Sequence, residues 1–306
     1  MDIEYLLSLQ GFRDSIEGGL NPFMEMISLF AVTYLIIVPV MVYWCLDKRA
    51  GLYTLGSFTT AVAVNAVVKL TVCAPRPWIR DGRVLPAGNA IETATGYSFP
   101  SGHTVTAAPV YGGLAVSAWK KMKWVSVLCV ICILLTGFSR NYLGVHTPQD
   151  VAVAMAESAL VLWGMAVLFK YLDRHPEKEI RFLLSGLVLC AGMLVFITLK
   201  QYPVFARVDP EKMKKDGYGD IGKLAAFCLG RLIERRWIRF EPRLTKRGLA
   251  AALAGAVLLF FLIEIASTPL TLAFGSHGGA FAYNLVIYLF IMAGWPAVMK
   301  AAARRE

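Results

Sequence analysis

The chain has 306 residues, of which 57% are hydrophobic and 17% are charged, and its mean hydropathy is +0.57. Soluble proteins carry about 25% charged residues, so this composition excludes an ordinary soluble enzyme and predicts an all-α, polytopic transmembrane helical bundle. The net charge of +10 does not predict a nucleic-acid partner, because the Lys and Arg residues flank apolar runs and form no basic stripe.

The first 22 residues do not resemble a signal peptide, because they lack a basic n-region and charged residues interrupt the apolar stretch. They predict a short N-terminal interfacial helix instead. Its apolar face would consist of Leu6, Leu7, Leu9 and Phe12. The six cysteines of the chain lie in or at the ends of apolar runs, which is typical of small buried residues and not of a disulfide framework.

Eight apolar runs are candidate membrane spans: 24–45, 51–73, 104–119, 124–139, 151–169, 182–199, 249–266 and 279–299. A ninth run, 217–233, is ambiguous because it is short and contains Asp220 and Lys223. If it spans the membrane, the basic residues from 231 to 247 and the Arg304-Arg305 pair join most other Lys and Arg residues on the cytoplasmic face. The sequence therefore favours nine spans over eight. The alternative is one amphipathic surface helix over 217–240.

These runs divide the chain into three regions. Residues 1–22 form the interfacial segment, 23–200 a membrane core, and 201–306 an additional C-terminal transmembrane region. The residues whose side chains could take part in catalysis or ligand binding all fall in the core, where they lie at helix ends on one predicted membrane face. They form three groups: Lys69 with Arg76-Pro77, Pro100-Ser101-Gly102-His103, and Ser139-Arg140 with His146 and Asp150.

The first feature of these groups is an excess of positive charge suited to phosphate. Arg76 and Arg140 can grip phosphate oxygens bidentately, and Lys69 adds a point charge. Ser101 can donate its hydroxyl, and Gly102 lets backbone N–H groups at the start of a helix approach the anion closely. The Pro100–His103 stretch by itself is also compatible with a simple turn and helix cap.

The second feature is a pair of histidines that can carry out covalent phosphoryl transfer. His146 is the candidate nucleophile, and Asp150, one helical turn further on, can accept from one ring nitrogen and leave the other as a lone pair. His103 would protonate the leaving oxygen and then activate water. Metal-ligand spacing is absent from the sequence, so neither a metal nor another cofactor is expected.

Together, the three groups resemble the three-part signature of the type 2 phosphatidic acid phosphatase superfamily, over about residues 20–200. The resemblance implies a helical bundle with a metal-independent site at its outer face. It implies His146 as nucleophile, Asp150 as its partner and His103 as acid. Phosphate binding would fall to Lys69, Arg76, Ser101, Gly102 and Arg140. The family core usually has six spans, so the region from about 201 onward is not explained by the motifs.

The resulting hypothesis is an integral lipid-phosphate phosphatase of a bacterial plasma membrane, with its site on the extracytoplasmic face. Its partners would be the lipid bilayer and a phosphorylated lipid of the undecaprenyl pyrophosphate, phosphatidic acid or phosphatidylglycerophosphate class. No protein partner can be inferred. Two alternatives remain open: a lipid phosphotransferase of the same chemistry, and a transporter or scaffold that binds anionic lipids without catalysis.

Two further features have no assigned role in the sequence. The loop from Trp78 to Phe99 is long enough to act as a lid. Its charged residues would either meet a second phosphate or headgroup, or lie in solvent: Arg80, Asp81 and Arg83. Glu157 and Glu264 fall within predicted spans, where carboxylates are often functional, but the sequence offers no partner for either.

Overall fold

The structure is a computed structural model that describes residues 1–92, 94–205 and 208–303. Over these ranges the chain is helical, with one isolated β-bridge between Phe205 and Val208 and no strand, so the all-α prediction is confirmed. The α-helices are α1 (Asp2–Ser15), α2 (Asn21–Thr33), α3 (Ile37–Met41), α4 (Lys48–Val72), α5 (Pro77–Arg80), α6 (Gly102–Ala118), α7 (Lys123–Tyr142), α8 (Pro148–Arg174), α9 (Glu179–Leu199), α10 (Pro210–Ile233), α11 (Lys246–Leu289) and α12 (Trp295–Ala303). Short 3-10 or π-helical turns occupy Val42–Leu46, Pro176–Lys178, Glu234–Ile238 and Phe290–Gly294.

Among the described residues, five helical segments are long and apolar enough to cross a membrane, or six if Asn21–Thr33 and Ile37–Leu46 form one span. The five are Lys48–Arg80, Lys123–Tyr142, Pro148–Arg174, Pro176–Leu199 and Lys246–Ala303. Length and hydropathy alone therefore do not give the nine predicted spans. Helix α6 has only 17 residues, and α10 begins with a charged stretch.

Helix α11 is a hairpin of two antiparallel halves. The helical backbone breaks at Gly275, whose φ of 72° and ψ of 179° favour glycine. Across the break, Tyr283 Oη donates to the Ile263 carbonyl at 3.1 Å, and Trp295 Nε1 donates to the Ala251 carbonyl at 3.1 Å. The pairing of later with earlier residues shows that the chain turns back, so the runs predicted at 249–266 and 279–299 lie on opposite sides of the break at Gly275, and the second run continues into α12.

The described residues form two compact units that interleave along the chain. The first comprises 1–36, 64–162 and 201–213, and the second comprises 37–63, 163–200 and 214–306. In the first unit, α6 packs on α7, and α2 packs against both. A buried apolar cluster joins the loop before α6 to the end of α7: Met24, Ala87, Ala90, Ala94, Tyr142, Leu143 and Val145. The three regions predicted from the sequence remain a prediction.

Helix α1 lies against the loop between α5 and α6. Leu6 is buried whereas Phe12 is half exposed, so only part of the predicted apolar face packs against the rest of the protein. Arg13 is also buried, and its guanidinium donates to the carbonyls of Leu85 at 2.7 Å and Tyr142 at 3.3 Å. Two further ion pairs tie the loop to α1: Arg80 with Asp2, and Arg83 with Glu4. The cations of this loop are therefore paired within the protein.

In the second unit, the part of α10 from Gly217 onward is largely buried. Its apolar residues include Ile221 and Ala226, each 0% exposed. A Cβ at Gly222 would lie 2.7 Å from the Phe281 carbonyl oxygen, so the glycine allows close packing on α11. Lys223 and Asp220 form the ion pair expected from their spacing, with 2.6 Å between Nζ and Oδ1.

Candidate active site

The three residue groups converge within the first unit because each lies at or beside a helix end. Lys69 is in the last turn of α4, Gly102 begins α6, and Arg140 is in the last turn of α7. Backbone bonds join the groups directly: Ser101 N donates to the Asp150 carbonyl at 3.0 Å. Asn141 Nδ2 donates to the His146 carbonyl at 2.9 Å, which fixes the turn between α7 and α8.

His146 and Asp150 form a buried pair at the start of α8. His146 Nδ1 lies 3.4 Å from Asp150 Oδ2. The same carboxylate oxygen accepts from Thr147 N at 2.8 Å and from Ser98 Oγ at 2.6 Å. In return, Thr147 Oγ1 accepts from Asp150 N at 3.3 Å, so Thr147 and Asp150 cap the helix reciprocally. The carboxylate is therefore held in place independently of His146.

Arg76 determines which nitrogen of His146 carries the proton. Its Nη1 lies 2.8 Å from His146 Nε2, and a guanidinium can only donate. Nε2 is therefore the acceptor with a lone pair, and the ring proton is on Nδ1, facing Asp150. Arg76 itself is fixed by the carbonyls of Gly96, 2.6 Å from Nε, and Val145, 3.0 Å from Nη1.

His146 lies in the loop between α7 and α8 and is 1% exposed. Burial, reinforced by the positive charge of Arg76, holds the pKa of His146 well below its ordinary value. The imidazole is therefore neutral at physiological pH. A neutral ring with its lone pair on Nε2 is the form that a nucleophile needs.

Arg140 and His103 carry buried polar atoms without partners among the described residues. Arg140 is 1% exposed, and its Nη1 donates to Ser28 Oγ at 2.5 Å. Its Nε and Nη2, together with His103 Nε2, are buried and unbonded. Leaving such groups unsatisfied in a folded protein is costly, more so for a charged group, so their presence indicates that a ligand completes these bonds.

Lys69, Ser101 and Gly102 shape the start of α6. Lys69 Nζ donates to the carbonyls of Tyr97, at 3.2 Å, and Pro100, and thereby holds the chain entering the helix. Ser101 is fully buried, and its Oγ caps the helix by accepting from Thr104 N at 3.4 Å; it also accepts from Thr104 Oγ1 at 2.9 Å. No heavy atom lies within 4 Å of the place where a Cβ of Gly102 would stand, so open space adjoins the first N–H groups of α6.

Four residues that support the site were missed in the sequence: Ser28, Ser98, Asn141 and Thr147. Thr147 had a local signal, since Thr-Pro-Gln-Asp matches a helix cap followed by proline. Ser28 and Ser98 had none, because their partners Arg140 and Asp150 are far away in sequence. Asn65 Nδ2 donates to Glu157 at 3.3 Å and so supplies the partner that the sequence did not reveal.

The other unassigned carboxylate, Glu264, is exposed on α11. Within the described ranges, no three His, Cys, Asp or Glu side chains are grouped as metal ligands would be. The cationic side chains at this site are Lys69, Arg76 and Arg140.

Comparison with known proteins gives one family. The model of the PAP2 superfamily matches residues 50–174, which include all three residue groups. The undecaprenyl-diphosphatase of Sulfolobus acidocaldarius is 30% identical over 170 residues, or 55% of this chain and 78% of that protein. The phosphatidylglycerophosphatase B of Bacillus subtilis is 31% identical over 158 residues, or 49% of this chain and 73% of that protein. No solved structure gives a significant match.

Proposed function

Because the chain belongs to the PAP2 superfamily and is an enzyme of the phosphatase class, we propose that it is an integral membrane lipid phosphatase. It hydrolyses a phosphorylated lipid without a metal, through a phosphohistidine. The observation that carries this proposal is the set of buried, unbonded nitrogen atoms on Arg140 and His103 beside a neutral His146. A phosphate group satisfies these nitrogen atoms and presents its phosphorus to the nucleophile.

In the proposed first step, His146 Nε2 attacks phosphorus and the bond to the leaving oxygen breaks. His103 gives that oxygen a proton, and Asp150 stabilises the positive charge that develops on His146. Because Arg76 Nη1 contacts Nε2 in the structure, the incoming phosphate must take over this donor before attack. Arg76 thus moves from protecting the nucleophile to binding the substrate.

In the second step, His103 takes a proton from water, the water oxygen bonds to phosphorus, and the N–P bond breaks. Inorganic phosphate leaves and His146 regains its lone pair on Nε2. Lys69, Arg140, Ser101 and the backbone N–H groups from Gly102 onward surround the phosphoryl oxygens in both steps. The two steps return each residue to its starting protonation state.

The substrate proposed is a lipid mono- or diphosphate of the undecaprenyl pyrophosphate, phosphatidic acid or phosphatidylglycerophosphate class. The names of the matched relatives support this class. A purified preparation tested with these lipids in EDTA, reading released phosphate, tests the proposal, and His146→Ala is the inactive control. Label recovered in a second lipid would instead identify a phosphotransferase. Binding without turnover of any lipid would contradict enzymatic function.

We further propose nine membrane crossings, a site on the extracytoplasmic face of a bacterial plasma membrane, and an N-terminal helix at the interface. The two halves of α11 support two crossings where length alone gives one segment. The buried, closely packed α10 supports a further one, and α6, capped at Ser101, supports another. With the bent pair of α2 and α3 as one span, these complete the count. The predicted cytoplasmic pair Arg304-Arg305 lies outside the described residues.

A further inference from the structure

A basic cavity of about 460 Å³ lies within the second unit, apart from the catalytic residues. Four basic side chains line it: Arg239, Arg243, Arg247 and Lys300. Of the lining residues that the structure describes, Glu241 is the acidic one, and its carboxylate lies 3.3 Å from the Nζ of Lys48, which does not line the cavity. Lys48 therefore offsets the acidic charge, and the cavity keeps a strong positive potential that favours an anion.

A buried ion pair holds one wall of this cavity in place. Glu234 is 0% exposed, and its Oε1 lies 2.9 Å from Lys48 Nζ. Both partners also bond the backbone of Phe240: its N–H donates to Glu234 at 2.7 Å, and its carbonyl accepts from Lys48 at 2.5 Å. Because both sides of this peptide segment are fixed, Arg239 and Glu241 are positioned before any ligand arrives.

The start of α11 forms another wall. Thr245 caps the helix by accepting from Gly248 N at 3.0 Å. A Cβ at Gly248 would lie 2.5 Å from the Arg243 carbonyl oxygen, so glycine lets the basic segment pack onto the first helical turn. The helix start adds partial positive charge to that of the arginines. Trp237 and Leu244 beside the cavity are 72% and 68% exposed, as expected of anchors in a membrane interface.

We propose that this cavity is a second anion site, which binds a phosphate-bearing group without reacting with it. The group is either the headgroup of an anionic phospholipid or free phosphate. Guanidinium groups bind phosphate oxygens with charge-assisted, bidentate hydrogen bonds, and Arg239 and Arg243 offer two of them in the lining. Among the described residues of the lining there is no histidine or cysteine, which separates this site from the phosphoryl-transfer chemistry proposed for His146.

Native mass spectrometry of the purified full chain in detergent tests this proposal with phosphatidylglycerol and phosphatidylcholine of the same acyl chains. Wild-type protein is expected to retain phosphatidylglycerol in preference to phosphatidylcholine. The double variant Arg239→Asn with Arg243→Gln should weaken that binding by about 30-fold, from about fivefold per basic residue. Asparagine is chosen because it tolerates the φ of 52° at position 239.

The matched control is Arg236→Gln with Lys246→Gln, which removes the same charge from exposed neighbours that do not line the cavity. It should change the affinity by less than about twofold, since it leaves all the lining cations in place. Competition by millimolar inorganic phosphate identifies free phosphate as the ligand, and its failure identifies the headgroup. Equal losses in both double variants, or equal binding of the two lipids by wild-type protein, would overturn the proposal.

Discussion

Replacing Asp150 by asparagine tests whether the carboxylate charge supports His146 in catalysis. The asparagine oxygen can still accept from Ser98 and Thr147, so the start of α8 remains capped. The lost charge lies 3.4 Å from His146 Nδ1, where a full positive charge on the ring gains about 5 kcal/mol at an effective dielectric of about 20. With about half of that charge developed in the transition state, kcat/KM should fall by roughly 30- to 150-fold.

The size of this loss also reports on Arg76. In an active site where an aspartate alone sets the histidine tautomer, the same Asp-to-Asn change lowers kcat by about four orders of magnitude. Before substrate binds, Arg76 Nη1 donates to His146 Nε2, so the free enzyme already holds the ring proton on Nδ1 without help from Asp150. A fall in kcat/KM much smaller than four orders of magnitude is therefore expected for Asp150→Asn.

Phosphate release from a lipid phosphate by wild-type and variant protein, measured as kcat/KM, is the assay. Asp81→Asn is the control, since it removes a carboxylate that pairs with Arg83 in the loop before α6, and it should stay within about twofold of wild type. A value for Asp150→Asn within threefold of wild type would refute the role of Asp150. A loss above about a thousandfold would refute the tautomer argument for Arg76.

Four further outcomes are expected. His146→Ala and His103→Ala should each lower kcat by roughly two to four orders of magnitude, and trapping with labelled substrate should give phosphoenzyme with wild type but not with His146→Ala. Activity should persist in EDTA and be inhibited by vanadate; loss in EDTA with recovery on adding magnesium would contradict a site whose charge comes from Lys69, Arg76 and Arg140. Because the pKa of His146 is lowered and the neutral ring attacks, kcat/KM should be lost only as the pH falls through that lowered pKa, and an acid limb above pH 6.5 would count against it. In a cysteine-free background on intact cells, a membrane-impermeant thiol reagent should label Asn89→Cys and not Ala301→Cys, both of which are exposed; labelling of both would favour eight spans.

The sequence predicts that the three residue groups lie close together because their spacing is tied to helix ends. Lys69 lies in the last turn of α4, Ser101 caps α6, and His146 and Asp150 flank the start of α8. The all-α fold can be predicted from composition, because long apolar runs must form the hydrogen bonds of their backbone groups internally. The assignment of chemical roles to these residues stays a prediction until variants are measured.

The support of the site could not be predicted, because it depends on pairs far apart in sequence. Ser28 contacts Arg140, and Ser98 contacts Asp150, and a serine at either position has no local pattern that distinguishes it from other small helix or loop residues. The number of spans is difficult for a related reason. A charged stretch at the start of α10 lowers its hydropathy, although tertiary packing buries its apolar part.

In the proposed membrane topology, the contacts of Arg13 impose an order on biogenesis. This residue is synthesised long before the carbonyl groups that it binds, at Leu85 and Tyr142, have left the ribosome. An unpaired guanidinium is costly to place in the hydrocarbon core, so α1 must remain in an aqueous or headgroup environment while α2 to α7 insert. It can dock only after the end of α7 has emerged on the same side. The amino-terminal helix is thus the first part of the unit to be made and among the last to reach its final place.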